Sequence, residues 1–448
     1  MRPVGVLSRW GPAWIRAWAL DSSVLLFSQT AALAATSALA ILLARSLDPH
    51  NWGLFSGFLA LSLALSVLAE FGLTTWLLRE LSSLYTDEST SEAQSRSRAG
   101  RLVGGGLVVA ISIGAGFVAA TVIAVVSLGL EVRLSAAVVA LVVYGALISV
   151  STVPESYFRS RRRLRRVVAA TLLEKGLLLL LVAGFVIADL GLPGIALGYL
   201  AAGSARLGFD AVLVIARDRL PVWRVSARDL ASVFRSSLPF AVNRTFLNLI
   251  PRTDTFLLAI LSPVAAGYFA LGDRLVGPAF IVPVVASMAL YPFLAREEGS
   301  TAAWRITILL AAAGTVLAGA AALAAPVLVP SLFGEAYTAA VPIVQIMVFV
   351  IPFVYVGNPL LAYVYSVRRE GRRLTAALAA VSLLGTMAIV LGQVFVGPVA
   401  AAGGYVFRHA LFVAALAAAA LVRSVPVTTL RGSEPLADGS HAMTRSMP

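Results

Sequence analysis

The sequence contains no cysteine, a single lysine and three histidines among its 448 residues. The absence of cysteine excludes disulfide bonds, thiol catalysis and cysteine-ligated metal sites. The histidines, His50, His409 and His441, are far apart along the chain, so no structural metal centre is expected. Charged residues are scarce as well, at 13% of the chain. Most of the sequence is apolar, and the arrangement of the apolar residues indicates the fold class.

Apolar residues make up 59% of the chain, and the mean hydropathy is +0.90. They occur in runs longer than the ~18 residues that mark a membrane-spanning helix. Only helices and closed barrels cross a bilayer, because the backbone must satisfy its own hydrogen bonds there, and these runs are too long for barrel strands. The sequence therefore predicts an all-α polytopic membrane protein with about 12 transmembrane helices. The predicted spans are residues 22–45, 52–78, 102–128, 134–154, 167–188, 192–216, 238–260, 264–294, 306–329, 340–366, 374–396 and 398–422.

Arginine is concentrated in every second connection between the predicted spans. The arginine-rich connections hold Arg79, Arg96, Arg98 and Arg101; the cluster from Arg159 to Arg166; Arg217, Arg219, Arg224 and Arg228; Arg296 and Arg305; and the cluster from Arg368 to Arg373. The opposite connections hold only Arg45 and Arg133. The positive-inside rule then places the arginine-rich side and both termini in the cytoplasm. Topology thus explains the net charge of +13, and nucleic acid is not an expected partner.

Three segments lie outside the predicted spans. Residues 1–21 carry three tryptophans spaced four apart, which share one helix face and suit a segment lying on the cytoplasmic leaflet. Residues 217–237 alternate apolar side chains with arginine and predict an amphipathic cytoplasmic helix. Residues 423–448 are rich in serine, glycine and proline and are predicted to be disordered.

The chain repeats itself once. The motif Leu47-x-Pro49-x-x-x-Gly53-x-Phe55 recurs 214 residues later as Leu261-x-Pro263-x-x-x-Gly267-x-Phe269. Two further motif pairs keep the same order: Tyr157-x-x-Ser160-x-Arg162-Arg163 with Tyr363-x-x-Ser366-x-Arg368-Arg369, and Gly194-x-x-x-Gly198-Tyr199 with Ala400-x-x-x-Gly404-Tyr405. Since each repeat holds an even number of helices, both enter the membrane in the same orientation. We therefore expect two parallel six-helix lobes, residues 22–216 and 238–422, around a central cavity, which is a transporter architecture.

Several motifs resemble a known family. They are Ala44-Arg45-Ser46-Leu47-Asp48-Pro49-His50-Asn51-Trp52-Gly53-Leu54-Phe55, Glu70-Phe71-Gly72-Leu73 with Arg79, Asp254, Ala266-Gly267-Tyr268-Phe269-Ala270, Tyr291-Pro292 and Phe333-Gly334-Glu335-Ala336-Tyr337. From about residue 24 to 422 the chain looks like the Wzx-type oligosaccharide flippases, members of the multidrug/oligosaccharidyl-lipid/polysaccharide exporter superfamily. Many lipid II flippases of this superfamily have about fourteen helices, which argues against that branch.

The resemblance implies a MATE-like fold and a flippase that moves a polyprenyl-pyrophosphate-linked oligosaccharide across the plasma membrane. Its expected partners are this lipid-linked oligosaccharide, the membrane lipids, and the polymerase and glycosyltransferases of the same cell-surface polysaccharide pathway. Neither catalysis nor a cofactor is expected of the chain itself. Alternating access between the two lobes is the expected mechanism.

The seventh predicted span carries the candidate substrate site. At ~100° per residue, Arg244, Asn248 and Arg252 fall within about 80° of one another on a helix. Each arginine at the bilayer centre costs ~2.5–3.5 kcal/mol, so these side chains should face a wet cavity or a partner. Because guanidinium offers a fork of donors to phosphate oxygens, our hypothesis is that Arg244 and Arg252 bind the pyrophosphate. The alternative is that Arg252 pairs with Asp254 or Asp273 and fixes helix packing.

Further polar residues are assigned to the same cavity. Asn243 adjoins the stripe, and Gln29 of the first span matches Asn243 at the 214-residue offset. Asp254, Asp273 and Arg274 complete the candidate substrate-binding set. Since Asp273 and Arg274 are adjacent on one helix, they must point in different directions, one towards the cavity and one towards a neighbouring helix.

Other charges in the spans have two interpretations each. His409 and Arg408 lie midway along the last span, where a histidine is either a proton-coupling group or a packing residue. The arginines from 159 to 166 are expected to face lipid headgroups, with recruitment of a pyrophosphate headgroup as the lesser alternative. Internal salt bridges are expected within the first lobe for Glu174 with Lys175 and for Arg206 with Asp210.

Two other functions remain open. A multidrug or cation antiporter of the same superfamily would favour acidic and aromatic residues in its cavity, whereas the midspan set here includes several arginines. A membrane glycosyltransferase or polymerase would need an extended external segment with carboxylates and histidine for acid–base work. The external connections here are short, which disfavours an enzyme.

Overall fold

The computed structural model describes residues 12–86, 91–294, 300–364 and 372–421. Within these ranges the chain is helical and has no β-strand. The helices are α1 (Pro12–Ser46), α2 (Pro49–Glu70), α3 (Leu73–Thr86), α4 (Glu92–Ser127), α5 (Val132–Ser160), α6 (Leu164–Ile187), α7 (Gly191–Ala211), α8 (Ala227–Asn248), α9 (Ile250–Leu261), α10 (Pro263–Val276), α11 (Ile281–Leu294), α12 (Ser300–Phe333), α13 (Val341–Met347), α14 (Val350–Tyr363), α15 (Arg372–Phe395) and α16 (Pro398–Leu421). The start of the predicted interfacial segment and the predicted disordered tail lie outside the described residues.

Eleven helical segments of the described chain are long and apolar enough to cross a membrane. They coincide with every predicted span except the seventh, residues 238–260, which α8 and α9 cover instead. α8 begins in the polar segment at Ala227 and runs through residue 237, across the predicted edge of the linker. The predicted all-α, polytopic membrane fold is confirmed, while the division into lobes and linker stays a prediction. We refer below to α1–α7 as the N-terminal half and to α9–α16 as the C-terminal half.

The break between α8 and α9 follows from one proline. Pro251 has no N–H to donate to a carbonyl in the preceding turn, so a continuous helix cannot be completed there. The structure places Pro251 in the first turn of α9, where the backbone N–H groups have no partner within the helix and a missing one costs nothing. Leu249, between the two helices, forms a turn. The Arg252 N–H donates to the Leu249 carbonyl at 3.0 Å, which closes this turn. Pro251 therefore interrupts the helix directly before Arg252.

The motif that recurs at the starts of α2 and α10, which we call the entrance motif, contains the residues that cap each helix. Asp48 caps α2 by accepting hydrogen bonds from the backbone N–H groups of His50 and Asn51, and Pro49 follows in the first turn. Burial by itself raises the pKa of Asp48, but its hydrogen bonds, chiefly those from Asn51, hold that pKa below the usual value. Ser262 caps α10 in the same manner, followed by Pro263. A cap and a proline at the first position fix where each helix begins.

The two copies of this motif contact each other across the halves. A Cβ atom at Gly53 would lie 1.7 Å from the Pro263 carbonyl oxygen, and one at Gly267 would lie 2.4 Å from the Pro49 carbonyl oxygen. The Trp52 Nε1–H donates to the Gly267 carbonyl at 3.1 Å. Small residues permit this close approach of α2 and α10, as they do in other membrane helix pairs. The two copies of the entrance motif therefore form the contact between α2 and α10.

A continuous apolar core joins the halves and repeats the same aromatic contact in each. Phe55 lies 5.5 Å from Tyr199 between ring centroids, and Phe269 lies 5.3 Å from Tyr405. All four rings belong to the core. Since these residues occupy matching motif positions, the internal repeat read from the sequence has a matching structure.

Candidate functional site

The halves are held together at the end of the molecule where α2 and α10 begin. The Arg45 Nε–H donates to the Leu332 carbonyl at 2.8 Å, and the Tyr337 hydroxyl donates to the Leu47 carbonyl at 3.0 Å. Both bonds join the first connection of the N-terminal half to the C-terminal half. Together with the glycine contacts they close this end, which the arginine distribution predicts to be external.

A cavity of about 100 Å³ lies beside this closed end. Its walls come from α1, α2, α5, α6 and α7 of the N-terminal half and from α10 of the C-terminal half. The lining residues are Thr36, Ala40, Leu43, Trp52, Phe55, Leu59, Leu63, Tyr144, Lys175, Leu178, Tyr199 and Arg274. Lys175 and Arg274 are cationic, and this set contains no carboxylate. The cavity therefore favours an anionic group with an apolar or sugar-like neighbour.

The lysine of this cavity belongs to a buried network in the N-terminal half. Glu174 is 0% exposed and accepts hydrogen bonds from Tyr144 at 2.9 Å, Lys175 at 2.7 Å and Arg206 at 2.6 Å. Arg206 also donates to Glu155 at 2.8 Å. Lys175 thus lines the cavity while its ammonium is bound to the Glu174 carboxylate.

The salt bridges expected in this half are confirmed, with one change of emphasis. Arg206 does meet Asp210, but at 3.9 Å, whereas its bonds to Glu174 and Glu155 are shorter than 3 Å. These two carboxylates come from α6 and α5. The principal partners of Arg206 are therefore across the helix bundle rather than one turn along its own helix.

The C-terminal half has a buried pair of its own. Asp254 on α9 is 1% exposed and is bound by the Arg408 guanidinium from α16 and by the Thr386 hydroxyl from α15, the latter at 2.6 Å. Gly385 makes room for Arg408, because a Cβ there would lie 2.3 Å from the Arg408 Cβ. Asp254 and Arg408 thus connect three helices and do not line the cavity.

Tyr405 connects this pair to an exposed carboxylate. The Arg408 guanidinium lies 5.1 Å from the centroid of the Tyr405 ring, and the Tyr405 hydroxyl donates to Asp273 at 3.2 Å. Asp273 is exposed, whereas the adjacent Arg274 lines the cavity. His409 packs edge-on against Tyr405 at 4.8 Å, and its Nδ1 lies 3.0 Å from the Tyr405 carbonyl oxygen. These are the contacts of a packing histidine, and a coupling role for His409 stays a prediction.

The polar stripe predicted for the seventh span is interrupted. Asn243, Arg244 and Asn248 lie on α8, but their side chains are outside the described residues. Arg252 follows the break, at the start of α9, and is exposed. The shared helix face assumed ~100° per residue without interruption, and Pro251 removes that condition. Gln29 is exposed on α1.

Sequence reasoning missed part of the site. Lys175 carried a signal, since it is the single lysine of the chain, yet it was assigned to a salt bridge alone. No sequence pattern indicated a role for Tyr144 or Thr386, because their polar partners, Glu174 and Asp254, are distant in the sequence. Tyr199 and Tyr405 were visible as the end of a repeated motif, which gave their position but not their contacts.

The comparisons with known proteins agree with this architecture. Residues 21–298 match the family model described as polysaccharide biosynthesis protein. No curated protein matches the chain. The fold is similar to a multidrug resistance MATE family transporter of the MOP superfamily in its inward-facing conformation, with 14% identity, a TM-score of 0.71, and 86% of this chain and 93% of that one covered.

Two further solved structures show the same fold. The lipid II flippase MurJ in an inward closed conformation is 8% identical, with a TM-score of 0.67 and coverage of 90% and 87%. A mutant of the Vibrio cholerae MATE transporter VcmN is 15% identical, with a TM-score of 0.56 and coverage of 90% and 96%. The fold therefore defines a multi-pass membrane protein of the MATE architecture. Within that class, the chain belongs to the polysaccharide biosynthesis protein family, and the predicted MATE-like fold is confirmed.

The buried pair in the C-terminal half gives a stability prediction. Asp254→Asn keeps the shape of the side chain but leaves the Arg408 charge buried without its counterion. Breaking one partner of a buried pair costs ~3–5 kcal/mol, so the purified protein should unfold at a clearly lower temperature. Replacing both residues, Asp254→Leu with Arg408→Met, should restore most of the loss.

The control is Glu92→Gln, which breaks the exposed pair of Glu92 with Arg96 at 3.4 Å. Exposed pairs contribute little, so its unfolding temperature should match that of the unmodified protein. Equal unfolding temperatures for the Asp254 and Glu92 variants would contradict the assignment of a buried ion pair.

Proposed function

We propose that this protein is a flippase that translocates a polyprenyl-pyrophosphate-linked oligosaccharide across the plasma membrane for cell-surface polysaccharide biosynthesis. The observation that carries the proposal is the inter-half cavity with one cation from each half, Lys175 and Arg274. Pyrophosphate is a compact, multiply charged anion, and both an ammonium and a guanidinium bind phosphate oxygens strongly. The family match supports the glycan part of the proposal.

The walls of the cavity suit the rest of such a cargo. Aromatic rings such as Trp52, Phe55 and Tyr199 can pack on sugar faces, while the polyprenyl chain stays in the surrounding lipid. We assign the pyrophosphate to Lys175 and Arg274, which line the described cavity. That Arg244 and Arg252 also bind it, with Asp273, Asn243, Asn248 and Gln29 as neighbouring polar contacts, stays a prediction from the sequence. Asp254 and Arg408 connect α9 to α15 and α16 and do not belong to the described lining of this cavity.

The closed end supports a mechanism of alternating access. In this conformation the Trp52, Gly53 and Gly267 contacts block passage on the side predicted to be external. We propose that loaded cargo enters from the cytoplasmic leaflet, and that the halves then separate at α2 and α10 to release it outside. The closing bonds of Arg45 and Tyr337 go to backbone carbonyls, so they can break and re-form without leaving buried charges unpaired.

A cation antiporter of the same superfamily is the alternative. Such a carrier would place carboxylates where the cargo binds, whereas the lining of the described cavity is cationic. Asp273 is exposed, but it accepts a hydrogen bond from the Tyr405 hydroxyl. The charge of the lining therefore favours the anionic cargo.

A transport assay tests the function. Vesicles containing the full chain and a polyprenyl-pyrophosphate-linked oligosaccharide should expose the sugar to a lectin on the opposite face. Lys175→Gln combined with Arg274→Gln should slow this exposure about tenfold or more, since each charge-assisted hydrogen bond contributes ~1.5–3 kcal/mol. Lys175→Arg combined with Arg274→Lys keeps both charges and should retain a measurable rate.

The matched control is Arg133→Gln, an exposed arginine that does not line the cavity. It should flip the lipid at the rate of the unmodified protein. An unchanged rate in the Lys175 and Arg274 double variant would refute the proposed site. Proton-driven uptake of a cationic dye, with no sugar exposure, would support the antiporter instead.

The orientation can be tested without background labelling, because the chain has no cysteine. We propose that both termini and the arginine-rich connections are cytoplasmic. Single cysteines at the exposed positions Ser127 and Ala188 should react with a membrane-impermeant maleimide on intact spheroplasts. Cysteines at the exposed positions Ala93 and Ala227 should react only after lysis. Labelling of the cysteines at Ala93 and Ala227 on intact spheroplasts would show that the orientation is the opposite of the one proposed.

A further inference from the structure

A second polar cavity lies in the N-terminal half, away from the site between the halves. It has a volume of about 290 Å³ and opens where α3 ends, α4 begins and the chain turns after α5 and α7. The lining residues are Tyr85, Glu92, Arg96, Tyr157, Arg161, Arg163, Arg217, Asp218 and Arg219. Five arginines thus face two carboxylates. We call this cavity the arginine pocket.

The two carboxylates do not neutralise the pocket. Asp218 is bound by both Arg163 and Arg166, the latter at 2.8 Å. Burial by itself raises the pKa of Asp218, but the Arg166 hydrogen bond and the Arg163 charge hold that pKa below its usual value. Glu92 is largely exposed and meets Arg96 at 3.4 Å. Among the residues that the structure describes, no carboxylate lies within ion-pair distance of Arg161, Arg217 or Arg219.

Local contacts constrain the Arg161 guanidinium and the backbone of Arg219. The Arg161 guanidinium lies 4.3 Å from the centroid of the Tyr85 ring, which fixes its plane by a cation–π contact. Arg219 has a left-handed backbone, with φ of 50°, at the turn that ends with the buried Leu220. A non-glycine residue is uncommon in this conformation and persists where its surroundings enforce it. The Leu220 N–H donates to the Val214 carbonyl at 3.1 Å, which closes the turn.

We propose that the arginine pocket binds a phosphate group, as the headgroup of an anionic membrane lipid. Guanidinium groups match phosphate oxygens with paired donors, and the hydroxyls of Tyr85 and Tyr157 add neutral donors. The pocket lies at the ends of membrane helices, where a lipid headgroup is at hand. Basic pockets between such helices bind phospholipid headgroups by this chemistry. The same donors accept a soluble phosphate, which the experiment separates from the lipid.

The test measures ligand-induced stabilisation of the full purified chain in a neutral detergent. Thermal unfolding is followed with phosphatidylglycerol, with phosphatidylcholine, and with inorganic pyrophosphate. A ligand that binds only the folded protein raises the unfolding temperature with concentration, so apparent affinities can be compared. Phosphatidylglycerol should stabilise the unmodified protein, phosphatidylcholine should not, and added salt should weaken the effect.

Arg217→Gln combined with Arg219→Gln should weaken this affinity at least tenfold. Both side chains are exposed, so the double variant should fold normally. The matched control, Arg224→Gln combined with Arg228→Gln, removes the same charge from exposed arginines of the same connection that do not line the pocket. It should bind as the unmodified protein does.

Three outcomes decide the proposal. Loss of phosphatidylglycerol binding in the pocket variant alone supports it. Stabilisation by inorganic pyrophosphate but not by the lipid, lost in the same variant, overturns the lipid source and leaves a soluble phosphate as the ligand. Equal weakening in both double variants overturns the pocket altogether, because binding would then follow net charge. None of these readouts depends on flipping, so the proposed function can fail while this site stands.

Discussion

The cost of placing charge within hydrocarbon is the constraint on which the rest of this structure depends. A charged side chain at the bilayer centre is tolerated when it has a partner or water. Each half meets the condition with its own buried network: Arg206 with Glu174 and Glu155, and Arg408 with Asp254. The cations that line the cavity are Arg274 of the C-terminal half and Lys175 of the N-terminal half, and Lys175 is also bound to Glu174 of its own network.

The contact between the halves is built from a different principle. Small residues in the repeated entrance motif let α2 and α10 approach until backbone meets backbone. Of the long side chains that cross this contact, Trp52 donates to the Gly267 carbonyl. The bonds that accompany it end on backbone carbonyls. An interface of this kind suits two parallel repeats that alternate between contact and separation at one end.

The sequence predicted the features that depend on composition and local pattern. Span positions follow from apolar runs, and the repeat follows from Pro49, Gly53, Pro263 and Gly267, which recur at one offset. The pairing of Asp254 with Arg408 could not be predicted, because 154 residues separate the two in the chain. Arg206 shows the same limit, since the pattern indicated Asp210 on its own helix while the shorter contacts come from α5 and α6. Helix periodicity also failed at Pro251, where the phase of Arg252 no longer follows that of Arg244.

The central claim is that an anionic headgroup binds between the halves, at Lys175 and Arg274. The most direct measurement is an experimental structure of the full chain with its polyprenyl-pyrophosphate-linked oligosaccharide bound. The account predicts pyrophosphate oxygens within about 3 Å of the Lys175 Nζ and the Arg274 guanidinium, a normal charge-assisted hydrogen-bond distance. A bound cargo whose pyrophosphate lies outside this cavity, with both cations out of reach, would contradict it.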